Sequence, residues 1–410
     1  MKVISGANLI DGAGNPLVPN AAVLVNDDGR IEAVGRREEV AIPPGAEVIR
    51  AQGMTLLPGL IDCHDHLSSF TYDLMGRWGF AEAQSLRHLR IARVMEETLL
   101  TGYTTIRDCG WLDVGFRQAV DEGLIAGPRL LVATSPMSPT HGTADRSSPS
   151  GHHQPPSPDP GLPLGIADGV DQVRAKVREL VRGGADVVKV FQTGFGRPNH
   201  GSKDVAYGPD ELQALVDEAH LLGKKVASHA MGGPGLRMSV EAGVDTIEHG
   251  PYLDEDPDLI KMMADRGIFL VPTFTVFIFH GEKGTSHAQS EVRDFRRHHV
   301  ESVQKALAAG VKVVAGTDAG GWVHGNNAQE LQCLVEAGMT PMQALVAGTG
   351  WAAECLGLEK ETGTLQRGKM ADMVVVDGDP SEDITQLQDK SRIKLVMKEG
   401  RVYSNLLPGE

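Results

Sequence analysis

Apolar and polar positions follow two different rhythms along the chain. From residue 1 to about 57 the segments KVIS, AAVLVNDDGRIEAVG and AEVIRAQGMTLL run between Asp-Gly, Gly-Asn-Pro and Pro-Pro-Gly turn signals. Alternation with a period of two between such turns marks short, half-buried strands. By itself this β region is incomplete. Its complement lies at the other end, where DMVVVDGDP and IKLVMKEGRVYSN repeat the pattern after the Gly-Lys of positions 368 and 369. Residues 1–57 and 366–410 are therefore expected to form one composite β-sandwich domain, with residues 58–365 inserted between its halves.

The inserted region repeats a short apolar run, a Gly- or Pro-containing loop and a segment of helical period. The eight strand candidates begin at LPGLIDCHDHL (57–67), TGYTTIRDCG (101–110), PRLLVATSPM (128–137), ADVVKVFQTG (185–194), KKVASHAM (224–231), VDTIEHG (244–250), IFLVPTFTV (268–276) and VKVVAGTDAG (311–320). Helical periods fill most gaps, as in GVDQVRAKVRELVRGG, GPDELQALVDEAHLLG and AQSEVRDFRRHHVESVQKALAAG, whose charged faces read as solvated surface. Eight parallel strands with crossover helices can close on themselves, so the expected fold is α/β, a (β/α)8 TIM barrel carrying the small β-sandwich domain. One connection departs from the rhythm. The loop over 138–166 is rich in Ser, Pro, Gly and His, and a loop of that length reads as an active-site loop or, more plainly, as a solvent-exposed insertion.

A barrel gathers its chemistry at the C-terminal ends of its strands, so those residues matter most. In the first strand, alternation puts Asp62, His64 and His66 on one face and Cys63 and Asp65 on the other. Two imidazoles side by side make half of a metal site, although a polar strand end can carry the same pair. Strand 4 ends with Lys189, strand 5 with His229, strand 6 with His249 and strand 8 with Asp318. Singly, each has an ordinary reading: a hydrogen-bonded core histidine, a turn aspartate, a buried lysine paired with an acid. Together, on strands that one barrel brings to one rim, they point to a cation site.

Composition narrows the partners. With 41% hydrophobic and 23% charged residues the chain reads as globular, and 39 Lys+Arg against 54 Asp+Glu give a formal charge of -15. That charge repels phosphate backbones and anionic membranes, so neither nucleic acid nor membrane is expected as a partner. Cys63, Cys109, Cys333 and Cys355 form no CxxC pair, which fits reduced thiols, and no long apolar run or leader-like stretch occurs. A cytoplasmic homo-oligomer acting on a small-molecule substrate is expected.

The chain resembles the amidohydrolase superfamily from its split β region through GLIDCHDH, VVKVF, SHA, IEHG, GTD and the closing GKMADMVVVDGDP. The resemblance implies two divalent metal ions, most often Zn2+, with His64, His66 and Asp318 on one and His229 and His249 on the other. It also implies that Lys189 bridges them after carboxylation by CO2, since an ammonium cannot ligate a cation and a carbamate offers two anionic oxygens. The cluster stands only if Lys189 lies with His64 and His249. Two zinc ions would bring the pKa of a bridging water to ~7 or below. Asp318 would then act as the catalytic proton shuttle, from that hydroxide to the leaving amine.

Within the superfamily the chain is similar to the imidazolonepropionase-like branch with its Xaa-Pro and Xaa-amino-acid dipeptidases, through TTIRDCG, AGPRLLV, ADGVDQVRAKVREL and Tyr207 in VAYGPDEL. That similarity implies that Tyr207 binds a substrate carboxylate together with a histidine of a TGGHAD-like phrase. Here the phrase reads THGTAD, with Thr143 at the histidine's place and His141 two residues earlier, so His141, His152 or His153 would serve instead. Arg107 and Asp108 read equally as an ion pair near the barrel wall or as substrate contacts. Dipeptides or N-acyl amino acids are the expected substrates, and cyclic amides, ureas, carbamates or xenobiotic amides the alternative. A deaminase fits less well because His229 is followed by Ala-Met-Gly-Gly rather than a nearby glutamate, and the full ligand set argues against a scaffold without metals.

Overall fold

A computed structural model describes residues 1–70, 83–145, 162–196 and 200–407. The N-terminal alternation forms β1 (Lys2–Leu9), β2 (Val18–Val25), β3 (Ile31–Arg36), β4 (Glu47–Arg50) and β5 (Thr55–Pro58). Only Gly59 separates β5 from the next strand, and a Cβ there would lie 2.0 Å from Thr104 Oγ1, so glycine alone allows the approach.

The central region builds a barrel. β6 (Leu60–Asp65), β7 (Tyr103–Asp108) and β8 (Arg129–Val132) pair in parallel, as do β9 (Val187–Phe191), β10 (Lys225–Ala230), β11 (Thr246–His249) and β12 (Phe269–Val271). Parallel bridges join the two groups: Met137 with Val190 on one side, and Leu270 with Val313 and Asp65 with Ala319 on the other. Segment 311–319 is thus the eighth stave, and the (β/α)8 barrel closes. The helices Val170–Arg182 and Pro209–Leu221 cover it with Val173, Val177, Leu180, Leu212 and Leu215, the periodic apolar positions of each.

Two expected strands are modified where they reach the rim. The run 268–276 is a strand only to Val271: Pro272 has no N–H to give, Thr273 turns to φ 54°, and a helix starts at Phe274. The run 311–320 keeps only bridges, because Asp318 sits at φ 53° and the amides of Thr317 and Asp318 both donate to His64 O, at 3.0 and 2.6 Å. Left-handed backbone at non-glycine residues is strained and is found where a site dictates geometry.

The chain returns to its beginning through β13 (Met373–Val376), β14 (Ile393–Lys398) and β15 (Arg401–Asn405). β13 pairs with β5, so strands of both chain ends share one sheet of order β15-β14-β13-β5-β1-β2-β3, with β4 beside β1. Alternation gives this sheet two faces: Val374, Val376 and Val396 join the barrel's core, while Met373, Val375, Leu395 and Met397 pack on Ile4, Val23 and Ile31. At its base the 138–166 loop is pinched by a bridge between Ser138 and Ile166, and its positions 146–161, including His152 and His153, lie outside the described residues. No helix among the described residues is long and apolar enough to cross a membrane.

Candidate metal centre

At the C-terminal rim the strand ends bring the histidines together. Ring centroids of His64 and His66 lie 5.4 Å apart, those of His64 and His249 5.1 Å, and those of His229 and His249 4.4 Å. Asp318 Oδ1 stands 3.3 Å from His66 Nε2 and 3.8 Å from His64 Nε2. Donor atoms of His64, His249 and Asp318 all fall within 4.8 Å of one another, so this set takes one residue from each of β6, β11 and the eighth stave. Gly316 makes room for this: a Cβ there would meet Val271 Cγ1 at 2.3 Å and His64 Cβ at 2.9 Å.

Each ring is anchored by a nitrogen other than the one it offers. Nδ1 of His64 meets Glu248 Oε2 at 2.7 Å, Nδ1 of His66 meets Gly110 O at 3.2 Å, and Nδ1 of His249 meets Thr273 Oγ1 at 2.6 Å. His229 bonds to the main chain of Gly194, and its buried Nε2 has no hydrogen-bond partner. Burial, followed by the Lys189 charge, brings His64 down to about 4 and His229 well below the imidazole range. His249 is lowered by burial first and then by its neighbours His229 and His64. These three rings are therefore neutral near pH 7 and present lone pairs. For Asp318, burial pushes upward, but the neighbouring His64, a hydrogen bond from His66 and the Lys189 charge outweigh it and hold the carboxyl well below its ordinary range.

Lys189 is fully buried, and its Nζ has no hydrogen-bond partner. Its charge acts on His64, His229, His249 and Asp318 alike, which puts the amine among them. A lysine left without a partner in such a place is expensive to bury. The bare Nε2 of His229, the neutral rings, the anionic Asp318 and the orphaned Nζ fit a bound divalent cation and a modified lysine. A hydrogen-bonded core would have satisfied these atoms.

A buried support stands beneath this layer. Glu248 joins His64 Nδ1 on one oxygen and Arg107 Nη2 on the other, at 2.6 Å, while Arg107 also reaches Cys63 O and Thr246 Oγ1. Arg107 is thus neither the partner of Asp108 nor exposed to a substrate: it is buried against Glu248. Asp108, on the other face of β7, accepts from the amides of Leu67 and Gly110 at 2.8 and 2.9 Å. Cys109 Sγ lies near the His64–Glu248 pair, but both of those groups are already bonded to each other, so this trio supports the site and is not a second one. Sequence reasoning missed Glu248 and Thr273. A glutamate inside a barrel strand needs a cation, and Arg107 on a nearby strand was the available one. Both Glu248 and the next residue serve the cluster because His249 takes φ 76° and leaves the alternation.

Asp62 also departs from simple alternation. It and Asp65, expected on opposite faces, both accept from Asn327 Nδ2, at 2.7 and 3.0 Å, because the β6–β7 register slips between them. Asp62 further accepts from Thr317 Oγ1 at 2.6 Å, which ties β6 to the Asp318 segment. Aromatic rings wall the centre: Trp111 over His66 (5.3 Å), Phe191 beside His229 (5.2 Å) and Phe277 beside His249 (5.4 Å). His280, whose pKa burial lowers to about 4, also feels the Asp318 charge.

Tyr207 is fully buried with no partner for its hydroxyl; burial raises its pKa, and the charges acting on it are Glu211 and Asp168. His141 is exposed, at φ 73°, with its ring 6.2 Å from that of His200. Thr143, at the place of the family's histidine, donates from Oγ1 to Thr193 O at 3.3 Å.

Known proteins are similar to this chain over nearly its whole length. Ochratoxinase of Aspergillus niger is 32% identical over 427 aligned positions, covering 98% of this chain and 86% of its own length. Among solved structures, a Xaa-Pro dipeptidase with methionine bound in its active site superposes with a TM-score of 0.86 at 28% identity, covering 98% of this chain and 100% of that one. A prolidase complexed with N-methylphosphonate-L-proline gives 0.87 at 29% identity, covering 98% and 99%. The amidohydrolase family model matches residues 55–403, from the end of β5 into β15. The chain belongs to the amidohydrolase family, and it is a hydrolase of carbon–nitrogen bonds.

Proposed function

We propose that the chain is a binuclear zinc amidohydrolase that cleaves amide-type bonds in small molecules, with dipeptides of the Xaa-Pro or Xaa-amino-acid type or N-acyl amino acids as substrates. The observation that carries this reading is the unpartnered Lys189 Nζ set among neutral imidazoles and Asp318. His64, His66, His229, His249 and Asp318 would hold the ions, with Lys189 bridging as a carbamate. Bound divalent ions supply Lewis acidity toward the scissile carbonyl and acidify water. Asp318, kept ionised by its neighbours, accepts the proton of the attacking water and returns it to the departing nitrogen, so that an amine leaves rather than an amide anion. Trp111, Phe191 and Phe277 thin the solvent around this transfer. Tyr207 and His141 would receive the carboxylate of the leaving half.

Asp318→Asn is expected to keep its metal and lose roughly 10²–10⁴ in turnover. Undiminished turnover in this variant would refute the shuttle. A second reading, hydrolysis of cyclic amides, ureas, carbamates or xenobiotic amides without a carboxylate, is favoured by the acidic surroundings of Tyr207, because Glu211 and Asp168 oppose a second anion there. A hydrolysis panel separates the two. Turnover of Xaa-Pro and N-acyl amino acids supports the first, and turnover confined to neutral aryl amides or carbamates supports the second.

A further inference from the structure

Just past β7 the backbone of Trp111 is left-handed, at φ 71°, an outlier for so bulky a side chain. Thr134, past the end of β8, is left-handed as well, at φ 57°, and its carbonyl accepts from the Trp111 amide at 2.5 Å, so the exits of β7 and β8 are held to each other. Packing does not require this. Leu112, the next residue, is fully buried, whereas Trp111 stays partly exposed. Strain kept at a residue that the core does not need points to the site it faces. We infer that Trp111, backed by Phe191, forms a subsite that selects substrates whose leaving half carries a ring or another large apolar side chain.

The rings follow one another along the rim. Trp111 lies 5.3 Å from His66, Phe191 stacks 6.3 Å from Trp111 at an interplanar angle of 28°, and His229 lies 5.2 Å from Phe191. Two apolar rings thus connect an imidazole of β6 with one of β10, and Phe191, itself buried, supports the indole from behind. A large apolar group laid on these rings gains both burial and ring contact, whereas glycine leaves the indole in water. The position of the wall fixes which half of the substrate meets it. It stands at the exits of β7 and β9, and the chain after β8 runs between them: the Met137 amide donates to Lys189 O at 2.8 Å, and the Phe191 amide to Met137 O at 2.9 Å. His141 and Tyr207, which receive the carboxylate of the leaving half in the function proposed above, belong to the connections that follow β8 and β9. The same half therefore lies on these rings, and the inference rests on that function.

The test compares two substrates that differ only in the leaving half, N-acetyl-L-phenylalanine and N-acetylglycine, on the zinc-loaded protein. The ratio of their kcat/KM values cancels any common loss of metal or of folded protein, so a merely structural role of Trp111 would not move it. The parent is expected to favour the phenylalanine substrate about a hundredfold, and Trp111→Ala to cut that preference about tenfold, while Trp111→Phe, which keeps a ring, loses far less. An unchanged ratio in Trp111→Ala, or a parent that treats the two substrates alike, overturns the subsite and leaves amide hydrolysis standing. Turnover of neither substrate by the zinc-loaded parent overturns the reading as a hydrolase of N-acyl amino acids, and the subsite with it.

Discussion

His64 commits one ring nitrogen to Glu248 and keeps the other for the centre, so Glu248 determines which lone pair is offered. Glu248→Gln preserves the shape and an acceptor for His64 while removing the charge that faces Arg107. It is expected to lower metal affinity by roughly tenfold to a hundredfold in a chelator competition, with Arg107 left as a buried charge and the protein less stable. Unaltered metal retention would mean that Glu248 only balances Arg107. Lys189→Ala should lose the second ion in elemental analysis, and short-chain acids with bicarbonate should partly restore it by supplying the missing bridge; undiminished two-ion occupancy would contradict the bridging role. At this scale the ligand types were legible because each stands at a strand end with few ordinary explanations. Glu248 and Thr273 were not, because nothing local shows that a buried carboxylate or hydroxyl is aimed at a ring from another strand.

Among the elements, the turn from β12 into the helix Phe274–Lys283 shows why the sequence misread a strand there. The helix begins at Phe274 because a side chain from elsewhere caps it: Glu330 accepts from the amides of Phe274 and Thr275 at 2.8 and 2.9 Å. Thr275 Oγ1 lies 2.9 Å from Glu330 and 3.0 Å from Thr317 O, and its single hydrogen cannot serve both. A protonated Glu330 resolves the conflict by donating to Thr275 Oγ1, which then donates to Thr317 O. Burial supplies the same tendency and raises the Glu330 pKa to about 8. The folded state therefore keeps a proton that the unfolded chain releases above its ordinary carboxyl pKa of 4.5. Stability from this group is present at low pH and lost as pH rises toward 8, at roughly 1 kcal/mol per pH unit. Glu330→Gln cannot titrate, although it leaves the Thr275 amide without its acceptor. The parent's stability advantage over this variant should therefore shrink between pH 5 and 8 in denaturation curves; a constant gap would show that Glu330 is ionised throughout.

At the scale of the whole molecule the question is whether the sheet shared by the chain ends can unfold apart from the barrel. Its strand β13 pairs with β5, which runs into β6 through one residue, and Val374 and Val396 belong to the barrel's core. The buried Asp372 carboxylate fastens the junction. It accepts from Arg129 of β8 at 2.7 Å, from Thr362 Oγ1 at 2.7 Å and from the Glu399 amide at 2.8 Å, while Lys398 Nζ donates to Gly127 O at 3.0 Å. The two rhythms made both regions legible in the sequence, but this junction was not, because its residues are ordinary in each local pattern and meet only when the chain ends do. Asp372→Ala removes the acceptor from Arg129 and two other donors and should cost roughly 3 kcal/mol. All four tryptophans, Trp78, Trp111, Trp322 and Trp351, lie between positions 58 and 365, so their fluorescence reports on the barrel region while far-ultraviolet dichroism reports on the whole chain. If the junction makes one cooperative unit, both signals in the variant move together to a lower midpoint. A dichroism change that precedes the fluorescence change would show that the sheet opens first and that the shared core does not couple the two.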